Sequence, residues 1–271
     1  MELVQSGEVR LAVDRHGSGR PVVLVADIGA GREMWLPSHI SALTGLGFEV
    51  VAFNSRGLPP SDIPTPPYSI DAMAADTAGL IEALQLESTA VVGFSLGALI
   101  AQELTLARPD LVRAAVLIGS LGRKDLTRRR LGEQAARDLT APQPPGTSVV
   151  VRALQLFGPA TLDDDAWMAT YLARADSPIT VTPGLIGQQL ASTAYDGRLE
   201  ALARIQVPCL VVSFEFDVLI PASLGRELAA TVPTARYAEI PGCGHGGLWE
   251  KPDKAIAAIV EFLADLNHQP S

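Results

Sequence analysis

Unbroken apolar runs recur along this chain, and helical periodicity fills the spaces between them. Val22–Ala26, Thr89–Val92 and Ala114–Ile118 are such runs and read as strands, and Glu49–Phe53 and the β-like runs Cys209–Phe214 and Arg236–Ile240 read as further strands. Strands buried on both faces lose the alternation of a half-exposed sheet, so such runs predict a parallel sheet covered on two sides. Arg10–Arg15 predicts an early edge strand, closed by the turn residues Gly17, Ser18 and Gly19. Helices are predicted over Leu36–Leu46, from an N-cap at Ser69 to about Leu84, over Ala98–Ala107 and over Asp253–Leu266. A Pro-rich loop fills Leu58–Pro67. The resulting βαβα rhythm is that of an α/β doubly wound, mostly parallel sheet with helices on both faces.

The rhythm breaks once, between Gly122 and Tyr195, where helical pieces surround the tract Pro142-Gln143-Pro144-Pro145-Gly146. This stretch reads as an insertion over the sheet. It divides the chain into a first core segment of residues 1–121, a helical insertion of residues 122–195 and a second core segment of residues 196–271.

One short segment carries the chemistry. Gly93-Phe94-Ser95-Leu96-Gly97 joins a predicted strand to a predicted helix. A serine between two glycines at such a turn is held in a tight, strained bend with its hydroxyl exposed. The N–H groups opening the helix face the place where an attacked carbonyl becomes an anion. Serine is a weak nucleophile, so it requires a base and a group to orient that base. Of the four histidines, His16 lies in an early turn, His39 in an early helix and His268 in the last residues. His245, in the loop Gly242-Cys243-Gly244-His245-Gly246-Gly247, follows a strand and is placed to reach another loop. Asp217, after the strand Leu210–Phe214 and before Pro221, is the candidate orienter, with Glu215 its nearest competitor. Ligands bind at the carboxyl ends of parallel strands, where all three fall.

Composition narrows the setting. The 271 residues, 48% hydrophobic and 19% charged, suffice for a large core. A net charge of −9 with no basic stripe argues against nucleic acid. The basic cluster Arg123–Arg130 reads as a solvated helix face. Two cysteines, Cys209 and Cys243, give no disulfide framework, and Cys243 reads as a packed thiol. Met1–Gln5 lacks the pattern of a secretory leader, and no run approaches a membrane span. A cytoplasmic monomer or homodimer acting on a small molecule is expected, with no cofactor, metal or membrane partner.

The order Ser95, Asp217, His245 resembles that of the α/β-hydrolase superfamily, in its esterase-like branch with a helical cap. Val50–Gly57, the helix entry Tyr68-Ser69-Ile70-Asp71 and the pair Arg108-Pro109 extend the similarity over nearly the whole chain. The resemblance implies Ser95 as nucleophile, His245 as general base and then acid, and Asp217 as the residue that fixes the imidazole. It implies backbone N–H groups of Leu96 and Ile28 as the oxyanion hole, and makes 122–195 the cap that shapes the pocket. Asp27, Trp35, Phe94, Trp167 and Val218 become candidate substrate contacts; Trp35, Phe94, Trp167 and Trp249 read equally as packing residues. The activity implied is cofactor-independent hydrolysis of a small or medium apolar ester or thioester. Carbon–carbon bond hydrolysis, perhydrolase-type or haloperoxidase-like oxidation, a biosynthetic cyclisation or elimination, and binding without turnover remain alternatives. Dehalogenases and epoxide hydrolases of this fold need a carboxylate where this chain has Ser95.

The chain departs from the family in its oxyanion loop, Ala26-Asp27-Ile28-Gly29, where relatives commonly have a His-Gly pair. A carboxylate ~4 Å from a developing oxyanion costs about 4 kcal/mol at an effective dielectric near 20. Asp27 is therefore expected to turn away and pair with Arg32 or Arg56, or else to be protonated. The competing reading is an Asp tolerated at a left-handed backbone position. Asn54 and Pro59 stand where relatives often have Asp and Gly.

Overall fold

The computed structural model describes residues 1–139, 147–175 and 180–268. The tract Pro142–Gly146 lies outside the described residues.

Eight strands form one sheet: β1 (Glu2–Ser6), β2 (Val9–Gly17), β3 (Arg20–Val25), β4 (Phe48–Phe53), β5 (Thr89–Phe94), β6 (Val112–Ile118), β7 (Cys209–Phe214) and β8 (Ala235–Ile240). Their spatial order is β1-β2-β4-β3-β5-β6-β7-β8. Pairs β1/β2 and β2/β4 are antiparallel, and every pair from β4/β3 to β7/β8 is parallel. The predicted early strand is present as β2, but it is not the edge. β1 pairs outside it, and its exposed Glu2, Leu3 and Gln5 carry too little apolar signal to be read as a strand.

The helices are α1 (Pro37–Gly45), α2 (Ile70–Ala83), α3 (Leu96–Ala107), α4 (Leu126–Asp138), α5 (Thr147–Leu156), α6 (Pro159–Leu162), α7 (Asp165–Ala175), α8 (Pro183–Ala194), α9 (Leu199–Leu202), α10 (Ala222–Thr231), α11 (Gly247–Glu250) and α12 (Pro252–His268). The strand side chains explain the unbroken runs. Val23, Val25, Val91, Ala115, Leu117 and Val211 face one way, into a core with residues of α2, α3 and α10. Val22, Leu24, Val92, Phe94, Val116 and Leu210 face the other, against α1 and α12. Each fully buried aliphatic side chain contributes roughly 1.5–3 kcal/mol, so both layers are needed to hold the sheet. Ser69 caps α2 by accepting the Ala72 N–H at 3.1 Å, as its position predicts.

Helices α4 to α9 lie between β6 and β7, and an antiparallel bridge between Arg123 and Gly197 brings the two ends of that segment together. The basic cluster here is not simply a solvated face. α4 itself buries no residue, but Lys124 is buried and its ammonium caps the last turn of α8 at the Ser192 and Thr193 carbonyls. Arg123 pairs with Glu227, and Arg128, Arg129 and Arg130 pair with Asp125, Asp196 and Glu133. Among the described residues, no helix is long and apolar enough to cross a membrane.

The turn from β5 to α3 is closely packed on both sides. A Cβ on Gly93 would run into the Gly97 carbonyl, and a Cβ on Gly97 into the Val25 carbonyl of the neighbouring strand. Gly97→Ala should therefore push α3 off β3 and cost about 1–3 kcal/mol or more, read as a fall in the urea midpoint with unchanged slope.

Candidate active site

Between Gly93 and Gly97, Ser95 takes φ +53°, ψ −112°. A non-glycine residue at positive φ stores about 1–3 kcal/mol of strain and persists only where its surroundings enforce it. The Ser95 N–H donates to the Ile118 carbonyl at 2.9 Å, and its own carbonyl accepts from Ala98 and Leu99 at 3.0 and 3.3 Å. The backbone is thus held on both sides. The side chain makes no capping bond to α3 and stays half-exposed at the carboxyl edge of the sheet.

The loop after β7 supplies Asp217. Its Oδ1 accepts the N–H groups of Leu219 and Ile220 at 2.9 and 2.7 Å, and its Oδ2 lies 2.6 Å from His245 Nδ1. The turn hydrogen bonds fix the carboxylate and leave one oxygen for the imidazole. Glu215 is excluded from that place: the strand ends at Phe214, Glu215 is exposed, and its carboxylate accepts the Gly242 N–H at 2.8 Å.

His245 and Asp217 are almost completely buried, at 2% and 4% exposure. The His245 ring lies 5.0 Å from the Phe94 ring, and the Gly119 backbone approaches it so closely that a Cβ there would sit 3.1 Å from Cε1. Burial opposes the imidazolium. The charge and hydrogen bond of Asp217, with the further negative charge of Asp27, outweigh that and hold the His245 pKa above its ordinary value. The loop is anchored by Glu250, a residue with no sequence signal to mark it. Its two carboxylate oxygens accept the N–H groups of Gly244 and Gly158, each at 2.8 Å, tying the histidine loop to the start of α6.

The loop after β3, expected to supply an oxyanion donor, departs from expectation. Asp27 does not turn away: its Oδ1 accepts the Leu96 N–H at 3.2 Å. Arg32 is engaged by Asp14 at 2.6 Å and by Asn54 Oδ1 at 3.1 Å, and Arg56 by Asp76 at 2.5 and 2.6 Å. Neither cation reaches Asp27, which makes no ion pair among the described residues. A left-handed backbone at Asp27 is not the reason for this residue either. The positive φ of the loop, +64°, belongs to Gly29. A backbone donor, the Leu96 N–H, is the partner of the carboxylate.

That loop is clamped from α8. Gln188, 1% exposed, accepts the Gly29 N–H at 2.8 Å and donates to the Arg56 carbonyl at 2.7 Å. Nothing in the sequence marks it, because both partners lie more than 100 residues away. Asn54, buried, joins the same network by accepting the Arg32 N–H at 2.9 Å and donating to the Pro59 carbonyl at 2.7 Å. Ile28 is half-buried beside Asp27.

The aromatic candidates separate. Phe94 is fully buried against His245, Phe214 and Trp249. Trp35 is buried in the core layer of α1, lies edge-on to His39 and also borders a surface cavity with Arg32, Pro37 and Ile40. Trp167 stacks on Tyr171 and meets Phe157 edge-on, and the Phe157 ring leaves no room for a Cβ on Gly246. Val218 is 53% exposed, one residue beyond Asp217. Cys243 is buried with its thiol pushed up to about 12 by burial, an inert form at neutral pH. Among the described residues, no group of three or more His, Cys, Asp or Glu side chains is placed to hold a metal ion.

The profile of the α/β-hydrolase fold family matches residues 20–252. The chain belongs to the α/β-hydrolase family. It is 37% identical, over 95% of its length and 99% of the relative's, to a Mycobacterium tuberculosis protein named "Putative non-heme bromoperoxidase BpoC". The crystal structure of the BpoC of strain H37Rv superposes with a TM-score of 0.88, covering 94% of this chain and 96% of that one. A protein of Azorhizobium caulinodans named "Putative carbamate hydrolase RutD" is 31% identical over 98% of this chain and all of the relative. The enol-lactonase of Burkholderia xenovorans LB400 shares the fold, with a TM-score of 0.83 at 23% identity over 97% of this chain and all of that one.

The electrostatics give a measurable consequence. With its folded pKa raised, protonated His245 adds stability that is fully present below the unfolded value near 6.5 and is lost as pH rises through the folded value. Asp217→Asn removes the main raising charge, and burial then dominates. The His245 imidazole resonances, followed by NMR across pH, should titrate above 6.5 in the wild type and below it in the variant.

Proposed function

We propose that this protein is a cofactor-independent serine hydrolase that cleaves a small or medium-sized acyl substrate, an ester or thioester, through an acyl-enzyme. The observation that carries this reading is the pairing of a serine at strained positive φ with a buried imidazole held 2.6 Å from a fixed carboxylate. Ser95 attacks the carbonyl carbon and passes its proton to His245 Nε2. Asp217 keeps the Nδ1 proton in place and stabilises the imidazolium. His245 then protonates the leaving group, and a water that it activates releases the acid from Ser95. Among the described residues no hydrogen bond joins Ser95 to His245; such contacts commonly tighten only with substrate bound. Leu96 N–H and the N–H of Ile28 serve as oxyanion donors, and α4 to α8 form the cap over the site.

A second reading, perhydrolysis, is favoured by the presence of Asp27 on an oxyanion donor and by the name of the Mycobacterium tuberculosis relative. Here hydrogen peroxide replaces water at the acyl-enzyme, giving a peracid and free Ser95. The carbamate-hydrolase name of another relative fits the first reading, since carbamates are also acyl compounds.

Ser95→Ala decides whether the relay does the chemistry. Turnover of a panel of p-nitrophenyl acyl esters should fall at least about 10³-fold and fluorophosphonate labelling should vanish, with the circular dichroism unchanged. Activity within a few-fold of wild type would sink both readings. Adding peroxide and bromide to the same assay separates them, because only perhydrolysis yields a brominating product.

A further inference from the structure

We propose that Asp27 is a plug of the oxyanion site. In the resting protein its carboxylate occupies the Leu96 N–H, so a neutral acyl substrate must first displace it and is turned over slowly. This rests on the reading of Ser95 as nucleophile.

A backbone N–H has one hydrogen, and that of Leu96 already points to Asp27 Oδ1 at 3.2 Å. An oxyanion formed at Ser95 would need the same hydrogen and would meet a carboxylate oxygen in its place. Among the described residues no side-chain cation pairs with Asp27, and Arg32 and Arg56 are committed to Asp14 and Asp76. The backbone of the loop is held where it is. The Asp27 carbonyl accepts the Ala30 N–H at 3.1 Å, Gln188 takes the Gly29 N–H, and the Leu185 side chain packs against Gly29. The freedom lies in the Asp27 side chain, which is only half-buried. Rotation about its side-chain bonds frees the Leu96 N–H without moving the loop.

The charges facing His245 come from two loops: Asp217 after β7 and Asp27 after β3. The remaining neighbours from the strands packed on it are the Phe94 ring and the Gly119 backbone. Removing Asp27 therefore has two separable effects. It releases an oxyanion donor, and it takes away one of the two negative charges that favour the imidazolium.

The test uses p-nitrophenyl butyrate turnover and the dissociation constant of butylboronic acid, whose tetrahedral adduct on Ser95 puts an anionic oxygen in the hole. One donor of this kind is worth about 10²–10³ in kcat. Asp27→Gly should raise kcat/KM at least tenfold, tighten the boronate by a similar factor and move the acid limb of the pH profile to lower pH. Asp27→Asn keeps the shape without the charge and should give a smaller gain in the same direction; it also carries the test if the glycine variant fails to fold. Unchanged or lower kcat/KM and boronate affinity in the folded variants would overturn the plug. If Ser95→Ala abolishes turnover in that case, only the plug is lost. If Ser95→Ala keeps turnover, the hydrolase reading falls and the plug falls with it.

Discussion

The close approach of three backbones at the β5–α3 turn is the constraint on which the rest of the site depends. Gly93 meets Gly97 and Gly97 meets Val25 of β3 with no space for a side chain, and this crowding forces Ser95 to φ +53°. The strain is held locally by the hydrogen bonds of the Ser95 N–H and carbonyl, and beyond them by the two-layer core on either face of the sheet. The result is a hydroxyl held above the sheet edge and a helix N-terminus whose first N–H, that of Leu96, faces the same space.

Around that fixed point the loops are positioned by hydrogen bonds that span the chain. Asp217 is set by its own turn, His245 by Asp217 and by the Glu250 bridge to α6, and the oxyanion loop by Gln188 from α8. The Glu250 and Gln188 anchors join short loops to helices, so those loops inherit the rigidity of the elements. Two of these anchors reach the helices between β6 and β7, which couples that segment to both the His245 loop and the loop after β3.

Family membership accounts for the fold, the elbow and the placement of a carboxylate beside an imidazole, but not for Asp27. One imidazole faces two carboxylates here, and one of them rests on the first backbone N–H of α3. That carboxylate on the Leu96 N–H is where this chain departs from the pattern its sequence resembles.

Sequence alone determined the elements that follow from periodicity and backbone chemistry. The inner strands β3, β5, β6 and β7 read as apolar runs because both faces are buried, and the Gly-x-Ser-x-Gly elbow was legible because only glycine tolerates those contacts. The chain order of Ser95, Asp217 and His245 was legible from positions after predicted strands. The outer strand β1 was not, since an exposed edge strand needs no apolar pattern and is held by pairing with β2. The tertiary structure chose Asp217 over Glu215, because the end of β7 aims one at His245 and the other at Gly242. It also decided the partners of Arg32, Arg56, Gln188 and Glu250, and it put Asp27 on the Leu96 N–H. Such contacts link residues far apart in the chain, and the competition among donors and acceptors that selects them exists only once the loops share one edge of the sheet.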